Sequence, residues 1–136
     1  MSIVIASSDG RKAADIGSTS VLYSLYSTII MRIPDAVQIA GLAVKFLHSG
    51  FCASEDCLAT ARQTNLLRDR LSQIPPEEAV YDMNDLDARA PWEGNISPVI
   101  TSCGNFYTTS DGKDLIFEIV SVLTYAGIMG CDAVIQ

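Results

Sequence analysis

The stretch from Pro75 to Leu115 constrains this chain most, because it carries four of the five prolines, the single tryptophan and most of the charge imbalance. Prolines cannot continue a helix, so Pro75-Pro76 are expected to end the helix before them. Between Glu77 and Glu93 the acidic residues are Glu77, Glu78, Asp82, Asp85, Asp87 and Glu93, against one base, Arg89. This window supplies minus 5 of the formal net charge of minus 7. Local acidity beside Trp92 suits a protein that meets a basic partner, since like charge steers encounter more than it shapes a fold.

With 136 residues, 49% of them hydrophobic, the chain is long enough to bury a sizeable core, and residues 1–136 are expected to form a single domain. Its apolar runs are broken by Arg32, Pro34, Asp35, Lys45 or Glu118, so none reaches the ~20 residues of a membrane-spanning helix. The opening Met-Ser-Ile-Val-Ile-Ala lacks a basic n-region and a long apolar core, and reads as a strand rather than a secretory signal. A cytoplasmic location is expected. Cys52, Cys57, Cys103 and Cys131 then read as free, mostly buried thiols, and their spacing lacks the close pairs of a zinc site.

Along the chain, residues 2–7 read as a first strand ended by the Asp9-Gly10 turn. A helix is predicted from Ser18 or Thr19, with Leu22, Leu25, Tyr26, Ile29, Ile30 and Ile33 on one face and Pro34 as its stop. A second helix over residues 35–49 packs Val37, Ala40, Val44 and Leu47 and ends at Gly50, and a third runs over 54–74. Residues 79–83 and 99–108 are predicted as short strands, joined by a long connection over 84–98. A last helix launches from Ser110-Asp111-Gly112, with Leu115 to Ala126 mostly apolar, before a terminal strand over 131–136. The expected class is α+β, mixed α/β: a small two-layer domain of about four helices and a sheet of three to five strands.

The chemistry-bearing residues are sparse. His48 is the only histidine and sits near a helix end, where the dipole favours it; pairing with Cys52 or Cys57 requires the turn at Gly50 to fold back. Thr109-Ser110-Asp111-Gly112-Lys113 is the nearest approach to a phosphate cradle, and a simple helix cap explains it. Asp82, Asp85 and Asp87 lack the Gly and terminal Glu of a calcium loop. No catalytic, cofactor or metal site is predicted. Nucleic-acid binding is disfavoured by the net charge, because Arg62, Arg68 and Arg70 are diluted by Asp69. The candidate partner-binding residues are Asp82, Asp85, Asp87, Trp92 and Glu93, with Trp92 equally able to serve as an interface anchor or as local core.

Several blocks resemble the bacterial Imm70 family of immunity proteins, which accompany polymorphic or contact-dependent toxins. They are Pro75-Pro76 leading to Val80 and Asp82, Pro91-Trp92 followed by Asn95-Ile96-Ser97-Pro98, and Thr109-Ser110-Asp111-Gly112 before Asp114-Leu115. Ile16-Gly17-Ser18 and the Ser27-Thr28-Ile29 region are similar too, whereas Ala90 and Lys113 stand where Pro and Arg are expected. The resemblance implies a small cytoplasmic protein without catalysis of its own that neutralises the toxin domain of its locus. An acidic inhibitor fits a basic target, and a nuclease is the leading expectation. The alternatives are a small enzyme using His48 with a nearby cysteine, or a structural subunit of a larger assembly.

Overall fold

The computed structural model describes residues 3–90 and 96–136. Its chain order is β1 (Ile3–Ser7), β2 (Ala13–Gly17), α1 (Thr19–Arg32), α2 (Ala36–Ser49), β3 (Phe51–Cys52), α3 (Cys57–Leu71), α4 (Leu115–Met129) and β4 (Ala133–Ile135). The four strands make one antiparallel sheet in the order β2-β1-β4-β3. This is a small mixed α+β domain, as the sequence predicts.

The hairpin β1–β2 forms because Gly10 takes a left-handed φ of 73°, and Asp9 Oδ1 accepts from Ser7 Oγ at 2.6 Å and from the Arg11 amide at 3.0 Å. Pairing is in register from Val4 opposite Asp15 to Ala6 opposite Ala13. Ile5 and Ser7 of β1, Ile16 of β2 and Ala133 of β4 are buried against the helices. Helix α4 packs on β1 and β2 and also on α3, and α3 in turn packs on α2. Leu115, Ile119, Val122 and Leu123 of α4 join Leu67, Leu71, Phe46, Leu25 and Ile29 in the buried core.

Caps follow the sequence closely. Ser18 Oγ accepts from the Val21 amide at 3.2 Å and starts α1, Asp114 Oδ1 accepts from the Phe117 amide at 3.0 Å and starts α4, and Gly50 and Gly130 end α2 and α4 in left-handed geometry. Helix α2 is kinked at Ala40 (φ −147°, ψ 44°), which frees amides beyond the kink from their usual partners. Gln63 of α3 repairs this break. Its Oε1 accepts from the Leu42 and Ala43 amides at 2.8 and 3.2 Å.

The structure corrects five local expectations. Residues 79–83 are not a strand, because side chains of α1 satisfy their backbone. Residues 99–108 are a series of turns, with Thr108 bridging Asp114 as the one isolated ladder contact among the described residues. The third helix starts at Cys57 after a 3-10 turn over Ser54–Asp56 and stops at Leu71, since the Ile74 amide turns back to the Leu71 carbonyl. The last helix is capped by Asp114, three residues beyond the predicted launch, because Gly112 is spent on a turn with φ 84°. Val37, expected to pack inward, is 61% exposed, and Phe117 on the mostly apolar last helix is 60% exposed.

Candidate functional site

The acidic segment begins where Pro75-Pro76 break the chain and a 3-10 turn forms over Pro76–Glu78. Pro76 is buried while Glu77 and Glu78 face solvent. The Glu78 carbonyl accepts from Arg32 Nε at 2.9 Å, so the last turn of α1 holds the start of the segment. The next grip is deeper. Ser24 Oγ donates to the Val80 carbonyl at 2.7 Å, and the Val80 amide donates to Thr28 Oγ1 at 2.8 Å. The buried Tyr107 hydroxyl lies 2.7 Å from Thr28 Oγ1 and donates to the Ser24 carbonyl at 3.2 Å.

One assignment of protons satisfies this whole group. Thr28 donates to Tyr107 and accepts from Val80, Ser24 donates to Val80, and Tyr107 donates to the Ser24 carbonyl. Burial pushes the Tyr107 hydroxyl up to about 12, so it stays a protonated donor at ordinary pH. Beyond Val80, Ser27 Oγ accepts from the Met83 amide at 3.2 Å and the Tyr23 hydroxyl accepts from Asn84 Nδ2. A row of polar side chains on α1, Tyr23, Ser24, Ser27, Thr28 and Arg32, thus straps residues 78–84 to the helix.

Past this strap the chain makes two turns that project the charges. Half-buried Asp82 accepts from the Asn84 amide at 2.9 Å through Oδ1, and its carbonyl accepts from the Asp85 amide at 3.2 Å. The Asp85 carbonyl accepts from the Ala88 amide at 3.0 Å. Asp85, Leu86 and Asp87 stand exposed at the tip, and among the described residues no ion pair engages either carboxylate. Beneath the segment lies a cleft of about 540 Å3 lined in part by Arg32, Val80, Asp82, Leu86 and Phe106. Of the five predicted partner-binding residues, Asp82, Asp85 and Asp87 are therefore brought together on one strapped segment. Trp92 and Glu93 lie outside the described residues.

The groups weighed for chemistry are placed elsewhere. His48 is exposed in the last turn of α2, its ring 5.3 Å from that of Tyr26. The thiols of Cys52 and Cys57 are buried, Cys52 against Thr60 Oγ1 at 3.3 Å and Cys57 against the Ala53 carbonyl at 3.4 Å. Among the described residues no hydrogen bond joins His48 to either thiol. Burial, with the neighbouring Cys52, pushes the Cys57 thiol up to about 12, and burial raises Cys103 to about 11, both far from the thiolate a nucleophile needs. Cys103 instead bolts the turn over residues 102–106 to the chain just past α3, donating from Sγ to the Pro75 carbonyl at 3.4 Å and from its amide to the Ile74 carbonyl at 2.9 Å. The Thr109–Lys113 stretch forms a tight turn in which Thr109 Oγ1 donates to Asp111 and accepts from the Lys113 amide at 3.0 Å. Arg68 and Arg70 serve as ties, to Asp114 and Asp35. Among the described residues no cluster of His, Cys, Asp and Glu side chains is suited to hold a metal ion, and no helix is long and apolar enough to cross a membrane.

Among the described residues, two pairs of the blocks quoted from the sequence meet in space. Ser27 and Thr28 hold Val80 and Met83, and Gly17 lies against Ser110, where an added Cβ would approach the Ser110 amide nitrogen to 3.4 Å. Comparison with protein families matches residues 6–135 to the family described as Imm70, Immunity protein 70. The chain belongs to this family. No curated protein and no solved structure gives a significant match. The Imm70 match spans every element above except the first residues of β1 and the last residue of the chain, so the strapped acidic segment is part of the family domain. Sequence reasoning missed the strap itself. Its signal was available in Ser24, Ser27 and Thr28, three hydroxyl residues inside a helix whose aliphatic residues already define a face.

Proposed function

We propose that this Imm70 protein binds and directly occludes a toxin domain encoded in its own locus, with the acidic segment over residues 77–87 as the approach surface and without chemistry of its own. The observation that carries the reading is that Asp85 and Asp87 project from a segment whose backbone is already fixed to α1 by buried hydrogen bonds. Little ordering is then required on association, which favours tight binding for a given contact area. Asp82 shapes the turn and adds charge behind the tip. Trp92 and Glu93 are assigned to the same interface on sequence grounds alone.

A basic target suits this surface, and enzymes that cleave RNA or DNA carry basic substrate-binding surfaces because they must neutralise phosphates. A nuclease is therefore the proposed target class, acting in the cytoplasm where the inhibitor would meet it. The test is calorimetry and stopped-flow association with the toxin domain from the neighbouring reading frame, at low and moderate salt. Asp85→Lys with Asp87→Lys is expected to slow association about tenfold at low salt, with a smaller difference at higher salt. Association as fast as that of the unaltered protein, with the same salt dependence, would reject the acidic segment as the interface. Rescue of growth on co-expression tests immunity separately.

A further inference from the structure

We propose that the groove formed by Tyr23, Tyr26 and His48 extends the toxin-binding surface and receives an arginine or lysine side chain of the toxin; this rests on the reading of the chain as a toxin-binding inhibitor. The groove lies between α1 and the end of α2 and encloses about 520 Å3. Tyr23 and Tyr26 are three residues apart on α1, with ring centroids 6.2 Å apart and planes tilted by 30°. The His48 ring follows at 5.3 Å from Tyr26, with a tilt of 38°. Leu22 and Leu47 complete the apolar lining, and Thr19 and Ser20 supply the polar part. Among the described residues, no aspartate, glutamate, lysine or arginine lines the groove.

Two features select a cation as occupant. Aromatic faces carry the negative part of the ring quadrupole, so a guanidinium or ammonium laid over Tyr23 and Tyr26 is attracted, and arginine also stacks on such rings. The groove also borders the acidic turn, because the Tyr23 hydroxyl accepts from Asn84, which sits between Asp82 and Asp85 in the chain. An anionic group approaching the groove would be repelled by the acidic turn beside it. An aromatic patch flanked by charge is the usual arrangement of an interface centre and its rim.

The experiment measures binding of the full chain to the toxin domain of the neighbouring reading frame, catalytically inactivated, by calorimetry. Tyr26→Leu keeps an apolar side chain but removes the ring, and is expected to weaken binding about tenfold, whereas Tyr26→Phe keeps the ring and is expected to bind like the unaltered protein. His48→Ala removes an exposed side chain and is expected to weaken binding about threefold. Should Tyr26→Leu fail to fold, His48→Ala decides: affinity equal to that of the unaltered protein rejects the groove. If the unaltered protein binds, and the Asp85→Lys, Asp87→Lys variant weakens binding while Tyr26→Leu and His48→Ala do not, the groove assignment falls and the acidic interface stands. If the unaltered protein does not bind at all, both readings fall together.

Discussion

Replacing Thr28 by valine tests whether α1 really holds the acidic segment, because the two side chains have nearly the same shape and differ in the hydroxyl. Thr28 is fully buried, and its Oγ1 is the acceptor of the Val80 amide at 2.8 Å. Without it that amide has no partner, and an orphaned buried donor costs about 1–3 kcal/mol. Tyr107 keeps the Ser24 carbonyl as its acceptor and loses only the Thr28 contact, about 0.5–1 kcal/mol more. The total, about 1.5–4 kcal/mol, corresponds to a fall in melting temperature of roughly 5–14 °C for a chain of this size. The segment has an escape: lifting off α1 would hydrate the amide at the cost of exposing Val80, about 1.5–3 kcal/mol. The two routes are similar in energy, so urea unfolding alone would not separate them. Hydrogen exchange does, since lifting speeds exchange at Val80 and Met83 while the core helices keep their protection. Tyr107→Phe is the control. There the Thr28 hydroxyl can turn to the Val80 carbonyl, 3.3 Å away, and the loss should be about 1 kcal/mol. A Thr28→Val protein with unchanged stability and unchanged Val80 exchange, or a Tyr107→Phe protein less stable than Thr28→Val, would refute the proton assignment on which this reasoning rests.

Gly127→Ala should destabilise the fold although alanine is the better helix former by about 1 kcal/mol. The new Cβ would lie 2.5 Å from Leu58 Cγ and 3.0 Å from the Leu58 nitrogen, and forced overpacking costs about 1–3 kcal/mol, so a net loss of up to roughly 2 kcal/mol in urea unfolding is expected and a gain would contradict the close approach of α3 and α4. Alkaline unfolding should report Tyr107. Its hydroxyl is raised from 10.0 to about 12, so its contribution is complete below pH 10 and is lost as pH rises through about 12. Tyr107→Phe is expected to lessen the fall in stability across that interval, the remainder belonging in part to the buried thiols of Cys57 and Cys103; an unaltered slope would place the titration elsewhere.

The four helices were legible because their apolar spacing and stop signals agree: Ser18 before α1, Pro34 after it, and Gly50 and Gly130 at helix ends. Strand β2 was not. Its Ala-Ala-Asp has little strand propensity, and it pairs because the Asp9-Gly10 turn returns the chain alongside β1. Residues 79–83 misled in the opposite sense, since alternation suggested a ladder whereas the backbone partners are Ser24, Ser27 and Thr28, more than fifty residues earlier. Periodicity reads local partners well and distant side-chain partners poorly. The acidic window was visible as composition, and Asp82, Asp85 and Asp87 do share one segment. What composition could not show is that this segment is fixed in place. That depends on hydroxyls which on a helical wheel look like an ordinary polar side.

Shape and charge are therefore carried by different residues of the same segment. The hydroxyls of Ser24, Ser27 and Thr28 bind backbone atoms of Val80 and Met83, and so fix the path of the chain whatever side chains it bears. Asp85, Leu86 and Asp87 lie beyond the last of these bonds and are exposed, so substitutions there alter the field of the surface with little effect on folding. A Thr28→Val change should thus act on stability and on the fraction of molecules with the segment docked, whereas charge reversal at the tip should act on the rate of encounter. The division would suit the proposed role, because charges at the tip can be altered without removing the buried hydroxyls that hold the segment on α1.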